Sequence, residues 1–372
     1  MRKIVFLTGT RADFGKIKAL IQSVKDHPDF EPYIFVTGMH LMHKYGYTLI
    51  EVERSGFKNL HTFYNHTDEA TMDLTLAKTI QGFSDYIKEI NPDLIVVHGD
   101  RVEALAGAIV GSLNNTLVAH IEGGELSGTI DELIRHSVSK LSHIHYTSNE
   151  RAKKRLLQMG ELAQSIFTIG SPDVDIMFSN QLPNLEEVKR YYQIEYSDYA
   201  LAMFHPVTTE ADSIAQKAQQ FVDALIKSDK NYVVIYPNND LGSNHILKAY
   251  ENLENNKRFK IFPSLRFEYF LTLLKHANFI IGNSSAGVRE APYYGIPTVN
   301  IGSRQQNRVK HQSIINCSNG KEDIYRTIQN INLVKAQSIE VFGRGNSARL
   351  FLDSLIAPNF WKINHQKQFK DV

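Results

Sequence analysis

Short apolar runs alternate along this chain with longer stretches in which apolar positions recur every three to four residues. In the first half, the runs at 3–7, 31–37, 94–98, 117–121, 143–147 and 166–169 predict strands. Several are Val- and Ile-rich on both faces, as in a parallel sheet covered by helices. Helices are predicted between them over 16–25, 74–89 and 103–113. Strand, helix, strand in rotation specifies a doubly wound α/β domain. After Gly170-Ser171-Pro172 and a linking helix over 184–192 the pattern restarts. Strands are predicted over 199–204, 232–236, 259–262, 279–282 and 298–301, and helices over 213–228, 267–275 and 289–294. The expected architecture is therefore α/β, two Rossmann-like domains (1–171 and 172–357) facing a cleft that converges their strand ends on a ligand. The tail 358–372, with the only tryptophan, Trp361, is expected either to pack back on the first domain as a helix or to hang unanchored.

A chain of 372 residues exceeds one comfortable core, which agrees with two domains. A formal net charge of +1 argues against a protein built to hold nucleic acid by bulk electrostatics. With one cysteine, Cys317, no intrachain disulfide is possible, and nothing points to an oxidising compartment. The apolar start at 3–7 stops at Thr8-Gly9 and reads as a first strand, not a signal peptide. No window approaches the roughly 20 apolar residues of a membrane span. A cytoplasmic, soluble protein is expected.

Polar motifs terminate the predicted strands, where doubly wound folds bind ligands. In the first half these are Thr8-Gly9-Thr10-Arg11-Ala12-Asp13, His98-Gly99-Asp100-Arg101, His120-Ile121-Glu122-Gly123-Gly124 and Gly170-Ser171-Pro172-Asp173. In the second they are His205-Pro206, Pro237-Asn238-Asn239-Asp240 and the turn Asn283-Ser284-Ser285-Ala286-Gly287. That last turn, between a strand and a helix start, offers backbone N–H groups and two hydroxyls to a phosphate. Glu290, one to two turns into the helix, is then placed to accept from ribose hydroxyls. A serine-capped helix fits the same residues.

Asp100, Glu122 and Asp131 suit proton transfer beside a sugar, where one carboxyl stays protonated and another ionised. Each also has a structural reading: ion pairs with Arg101 or Arg135 for the first two, helix capping for Asp131. His205 suits donation to a departing phosphate, or a hydrogen bond that holds a turn. Arg11, Arg101 and Arg304 match a diphosphate in bidentate geometry, and equally fit surface ion pairs. His143 and His145 share a strand face, but no carboxylate or cysteine follows at ligand spacing, so no metal site is expected. Neither a glycine-rich dinucleotide fingerprint nor a lysine-bearing phosphate loop follows the first strand, which argues against hydride transfer and triphosphate hydrolysis.

Taken in order, these motifs, with Thr37-Gly38-Met39-His40, Glu125-Leu126-Ser127-Gly128, Arg135-His136, Phe204-His205-Pro206-Val207 and Gly282-Asn283, closely resemble the hydrolysing UDP-N-acetylglucosamine 2-epimerases of sialic acid biosynthesis. The resemblance spans nearly the whole chain and is weakest after Arg304. It implies a glycosyltransferase-B-like fold, no cofactor or metal, a homodimer or homotetramer, and UDP-N-acetylglucosamine plus water giving N-acetylmannosamine plus UDP. By the same resemblance Asp100, Glu122 and Asp131 are the acid/base groups, their individual roles open. His205 stabilises the leaving group, and Arg101 lies with it at the diphosphate. Arg11, Asn238, Ser284, Ser285, Glu290 and Arg304 contact the nucleotide, and Leu265 lies near the uracil. Non-hydrolysing relatives typically carry Glu-Ala-Gly-Leu-Arg where this chain has Glu122-Gly123-Gly124-Glu125. The rival readings are a hydrolysing epimerase of another UDP-2-acetamido sugar, such as a 2,4-diacetamido-6-deoxy sugar, a non-hydrolysing epimerase, a glycosyltransferase, and a nucleotide-sugar sensor without turnover.

Overall fold

The computed structural model describes residues 1–65, 71–305 and 308–371. The chain forms two compact units: Met1–Glu125 with Asp131–Asn180 and Val341–Val372, and Leu126–Ile130 with Gln181–Glu340. In the first, seven strands are laid down in chain order: β1 (Arg2–Thr8), β2 (Phe30–Val36), β3 (Asn59–Thr62), β4 (Leu94–His98), β5 (Leu117–Ile121), β6 (Ile144–Thr147) and β7 (Ile166–Thr168). They form one sheet in the order β3-β2-β1-β4-β5-β6-β7, and every pairing is parallel. Ile4, Val5 and Phe6 of β1 are completely buried, as a central strand covered by helices on both faces requires. Strand order reverses between β1 and β4, and such a reversal is where doubly wound sheets open a crevice beyond the strand ends.

The second unit repeats the scheme with β8 (Ala200–Met203), β9 (Tyr232–Ile235), β10 (Phe259–Phe262), β11 (Ile280–Gly282), β12 (Thr298–Ile301) and β13 (Ile314–Cys317). Their order is β10-β9-β8-β11-β12-β13, again all parallel, so the reversal falls between β8 and β11. At that point the two backbones come together closely. Gly282 has φ +132°, and a Cβ there would lie 1.8 Å from the Met203 carbonyl oxygen, so only glycine fits.

The compact units do not follow the 171/172 division. The helix Pro172–Met177 packs on the helix Arg11–Lys25, and both pack on the helix Ser347–Ile356. Asp175 fixes that arrangement by accepting from the backbone N–H groups of Ser347 (2.9 Å) and Ala348 (2.8 Å). Phe351 is fully buried against Phe6 and Tyr146, which keeps residues 341–356 with the first sheet. In the tail, Trp361 lies under the Arg2 guanidinium at 4.1 Å and donates to the Leu355 carbonyl. Beyond a single helical turn at Phe360–Lys362 the tail has no regular structure and is held by Lys367 and by the His365 carbonyl, which meets His143 Nε2 at 2.9 Å.

Candidate active site

In the first unit, three chain reversals beyond β4, β5 and β7 bring one polar cluster together. Glu122 follows β5 directly and sits at φ +65°, a conformation that costs a non-glycine residue on the order of 1–3 kcal/mol. Its N–H bonds the Tyr146 carbonyl, and its own carbonyl accepts from Arg135 Nη1 at 2.7 Å. The side chain is buried: Ser171 donates to Oε1, and His98 Nε2 stands 3.3 Å from Oε2. The other end of the Arg135 guanidinium, Nη2, donates to Asp100. One fully enclosed arginine thus ties the Asp100 carboxylate to the backbone of Glu122, with charge-assisted bonds at both ends. Asp131 lies one helical turn before Arg135, in the first turn of the helix Ile130–Leu141, so it shares the arginine's face. The Gly99 carbonyl, just before Asp100, accepts from His120 Nε2 at 2.8 Å. Burial holds the His120 imidazole well below its usual pKa, so it is neutral, with Nδ1 left to the Ser139 hydroxyl.

The loop after β1 is a helix cap. Asp13 accepts from the N–H groups of Gly9 (3.0 Å) and Thr10 (3.1 Å), while the Thr10 hydroxyl accepts from Asp13 N–H. Arg11 is the first residue of the helix that this cap starts. Arg101 is steered by a residue that the sequence did not single out: its Nε lies 3.3 Å from the buried Glu103 carboxylate.

In the second unit, His205 follows β8 and Asn283 follows β11, so both stand at the strand-order reversal. They lock reciprocally: His205 N–H donates to Asn283 Oδ1 (2.6 Å), and Asn283 Nδ2 donates to the His205 carbonyl (2.8 Å). His205 Nδ1 accepts the backbone N–H of Asn238 at 3.1 Å, which leaves Nε2 as the proton-bearing nitrogen. The Asn238 amide donates to Asp240. Arg304 Nη1 (3.2 Å) and Gln305 Nε2 (2.9 Å) both donate to the Asn283 carbonyl, directly before Ser284. Ser284 accepts from Ala286 N–H and caps a short turn, Ser285–Gly287, so the capping reading holds at this serine. Glu290 is the first residue of a separate four-residue helix, Glu290–Tyr293, not one to two turns into a longer one. The short turn ends before it, and Pro292 is accommodated because it falls in a first turn. Glu290 and Leu265 are both buried.

The family model for UDP-N-acetylglucosamine 2-epimerase matches residues 22–356. The chain belongs to the UDP-N-acetylglucosamine 2-epimerase family. Among its relatives is the UDP-N-acetylglucosamine 2-epimerase of Neisseria meningitidis serogroup B, 49% identical over the full length of both chains. The polysialic acid biosynthesis protein P7 of Escherichia coli is 32% identical, covering 100% of this chain and 98% of its own. The fold, two parallel α/β sheets of glycosyltransferase-B-like type, is shared with the crystal structure of Methanocaldococcus jannaschii UDP-GlcNAc 2-epimerase in complex with UDP-GlcNAc and UDP. That match has a TM-score of 0.83 at 22% identity and covers 95% of this chain and 99% of the other.

In this epimerase-family chain the structure joins Asp100 to Glu122, and His205 to Asn238, and sets Arg304 beside the Ser284 turn. The pairing of Asp100 with Arg135 was legible as an ion pair; that the same arginine also bonds the backbone carbonyl of Glu122 was not. Lys16 was not singled out in the sequence, and His98, Ser171 and Asp173 around Glu122, and Asn283 behind His205, stood in strand-end motifs but were given no role of their own. The strand-end motif Gly170-Ser171-Pro172-Asp173 was the signal for Ser171 and Asp173. His145 does have a carboxylate partner, which the spacing hid: Glu161 Oε2, sixteen residues on, lies 2.9 Å from its Nε2. Lys140 and Lys367 bond the same carboxylate, so the cluster is filled by cations of the protein itself. Among the described residues no group of three or more His, Cys, Asp or Glu side chains is arranged to hold a metal ion. Among them, too, no helix is long and apolar enough to cross a membrane.

Proposed function

We propose that this chain is a hydrolysing UDP-N-acetylglucosamine 2-epimerase, converting UDP-N-acetylglucosamine and water into N-acetylmannosamine and UDP for sialic acid biosynthesis. The observation that carries the reading is the Asp100–Arg135–Glu122 cluster in a chain 49% identical, end to end, to a UDP-N-acetylglucosamine 2-epimerase. The polysialic acid protein among the relatives supports the pathway. Hydrolysis is supported by Glu122-Gly123-Gly124-Glu125. An alanine at Gly123 would put its Cβ 3.0 Å from the His120 ring, so the alanine of the non-hydrolysing pattern would crowd this packing.

In this reading the second unit holds the nucleotide through Asn238, Leu265, Ser284, Ser285, Glu290 and Arg304, and Arg11 and Arg101 add positive charge for the diphosphate. Carbon 2 loses its proton to a carboxylate as the bond from carbon 1 to the UDP oxygen breaks, giving 2-acetamidoglucal. The hydrogen on carbon 2 is only weakly acidic, so positive charge on the ring must accompany its removal, and nearby anions stabilise that charge. His205 Nε2–H suits donation to the departing phosphate. Water then adds its hydroxyl to carbon 1 and a proton reaches carbon 2 from the opposite face, inverting that centre. Asp100, Glu122 and Asp131 supply the acids and bases for both steps.

Incubation with UDP-N-acetylglucosamine in deuterated water is the test. Free N-acetylmannosamine deuterated at carbon 2, with one UDP released per sugar, is expected. A product that keeps its nucleotide overturns the hydrolytic reading. Turnover only with a UDP-2,4-diacetamido-6-deoxy sugar would move the substrate assignment. The ribose contact is tested separately. Glu290→Ala should weaken UDP binding by roughly tenfold or more, as loss of a hydrogen bond to a charged group does, and should raise KM with little change in kcat. Unchanged UDP affinity in titration calorimetry would remove Glu290 from the nucleotide site.

A further inference from the structure

We propose that Lys16, braced by Asp173, is a positioning residue that keeps Glu122 ionised and aimed for proton transfer. The proposal rests on the acid/base reading of Glu122 above and adds two residues to it. Lys16 lies on the helix Arg11–Lys25, and its side chain is only 9% exposed. A lysine is almost never buried so deeply without partners. Its ammonium stands 3.2 Å from Asp173 Oδ2 and 3.8 Å from Glu122 Oε1, with both carboxylates almost wholly enclosed. Three segments far apart in sequence therefore converge on one cation. The helix–helix contact between Arg11–Lys25 and Pro172–Met177 holds them there.

Other groups also meet Glu122. His98 faces Oε2, Ser171 donates to Oε1, and Arg135 bonds the Glu122 carbonyl and carries Asp100 on its far side. Asp175, the next acidic residue on the helix of Asp173, is turned to Ser347 and Ala348. Lys16 brings a side-chain ammonium to the Glu122 carboxylate and shares it with a second anion. Inside a protein, a positive charge at this distance favours the ionised carboxylate, and a neighbouring negative charge opposes it. Removing Lys16 and removing Asp173 must then move the proton affinity of Glu122 in opposite directions. A purely structural bracket would not do this.

The pH profile of kcat for release of free N-acetylmannosamine from UDP-N-acetylglucosamine reads this sign. Lys16→Met should lower kcat on the order of 10²-fold with KM within about threefold, and should move the acidic limb up by about one pH unit. Asp173→Asn should move the same limb down, because Lys16 is released toward Glu122. Opposite shifts establish the positioning role. Shifts in the same direction, or lost turnover with an unmoved limb in both variants, overturn it. If Lys16→Met does not fold, Lys16→Arg keeps the charge and should leave the limb in place while Asp173→Asn still lowers it; a limb raised in Lys16→Arg overturns the proposal. A wild-type enzyme that releases no free sugar overturns the catalytic reading itself and the role of Lys16 with it, whereas an active wild type with like-signed shifts overturns the role of Lys16 alone.

Discussion

Glu122→Gln is expected to lower turnover of UDP-N-acetylglucosamine by roughly 10²–10⁴, the range a positioned acid or base contributes. The amide keeps the volume of the carboxylate, so the left-handed backbone and the Arg135 contact to its carbonyl can persist. What is lost is the charge and the ability to take a proton. UDP affinity should stay within a few-fold, because the proposed nucleotide contacts of His205, Asn238, Ser284 and Glu290 belong to the second unit. A fall in kcat and kcat/KM together, with UDP binding retained, is the signature of an interaction made in the transition state. Asp131→Asn should behave alike. Asp100→Asn should do the same and add a structural loss, since Arg135 is enclosed and loses its carboxylate partner. Near-normal turnover in any of the three removes that residue from the acid/base set.

Much of the frame that places these residues was legible in the chain. The strands β4, β5, β10 and β12 and the helix Phe267–Lys275 end where the apolar runs end. These are elements whose apolar periodicity is sharp. The two strands that sequence reasoning missed are β3 and β13, and both are sheet edges. Asn59-Leu60-His61-Thr62 and Ile314-Ile315-Asn316-Cys317 are short and largely half-buried, as edge strands are, and mix polar with apolar positions. The helix Ser347–Ile356 was missed for another reason. Its partners Phe6 and Tyr146 lie hundreds of residues away, and no local signal ties it to the first sheet.

The site was legible to the extent that strand ends are. Asp100, Glu122, His205 and Ser284 were singled out because polar motifs recur where strands stop. Residues that reach the site from a helix side were not. Lys16 reads in sequence as one polar position of an amphipathic helix, and only the packing on Pro172–Met177 turns it into a buried charge. The positive φ of Glu122 is hinted at by Gly123-Gly124 but assigned by neither glycine. Asn283 reads as part of the serine turn, whereas its side chain holds the other side of the strand reversal.

The largest expected effect on stability lies at the opposite edge of the first sheet, in the cluster that anchors the tail. Glu161 is 2% exposed and accepts from Lys140 (2.8 Å), His145 (2.9 Å) and Lys367 (2.6 Å). Burial alone would raise its pKa, but the hydrogen bonds from His145 and Lys140 and the charge of Lys367 outweigh this and hold it at about 2. Lys367 is pushed down to about 8, chiefly by burial. The folded state therefore favours ionised Glu161 relative to the unfolded chain. That stabilisation is complete above pH 4.5 and is lost progressively as pH falls toward 2. Glu161→Gln at neutral pH leaves the half-buried Lys367 ammonium without its carboxylate, while Lys140, 41% exposed, regains water, a loss of about 3 kcal/mol. For a unit of this size that lowers the melting midpoint by on the order of 6–12 °C. The gap between wild type and variant should narrow between pH 4.5 and pH 3, where the wild type alone loses the contribution of this carboxylate. Melting midpoints at the two pH values test both the size and the sign. A variant that melts with the wild type at pH 7, or a gap that widens on acidification, would contradict the assignment of Glu161 as the anion that fastens the tail.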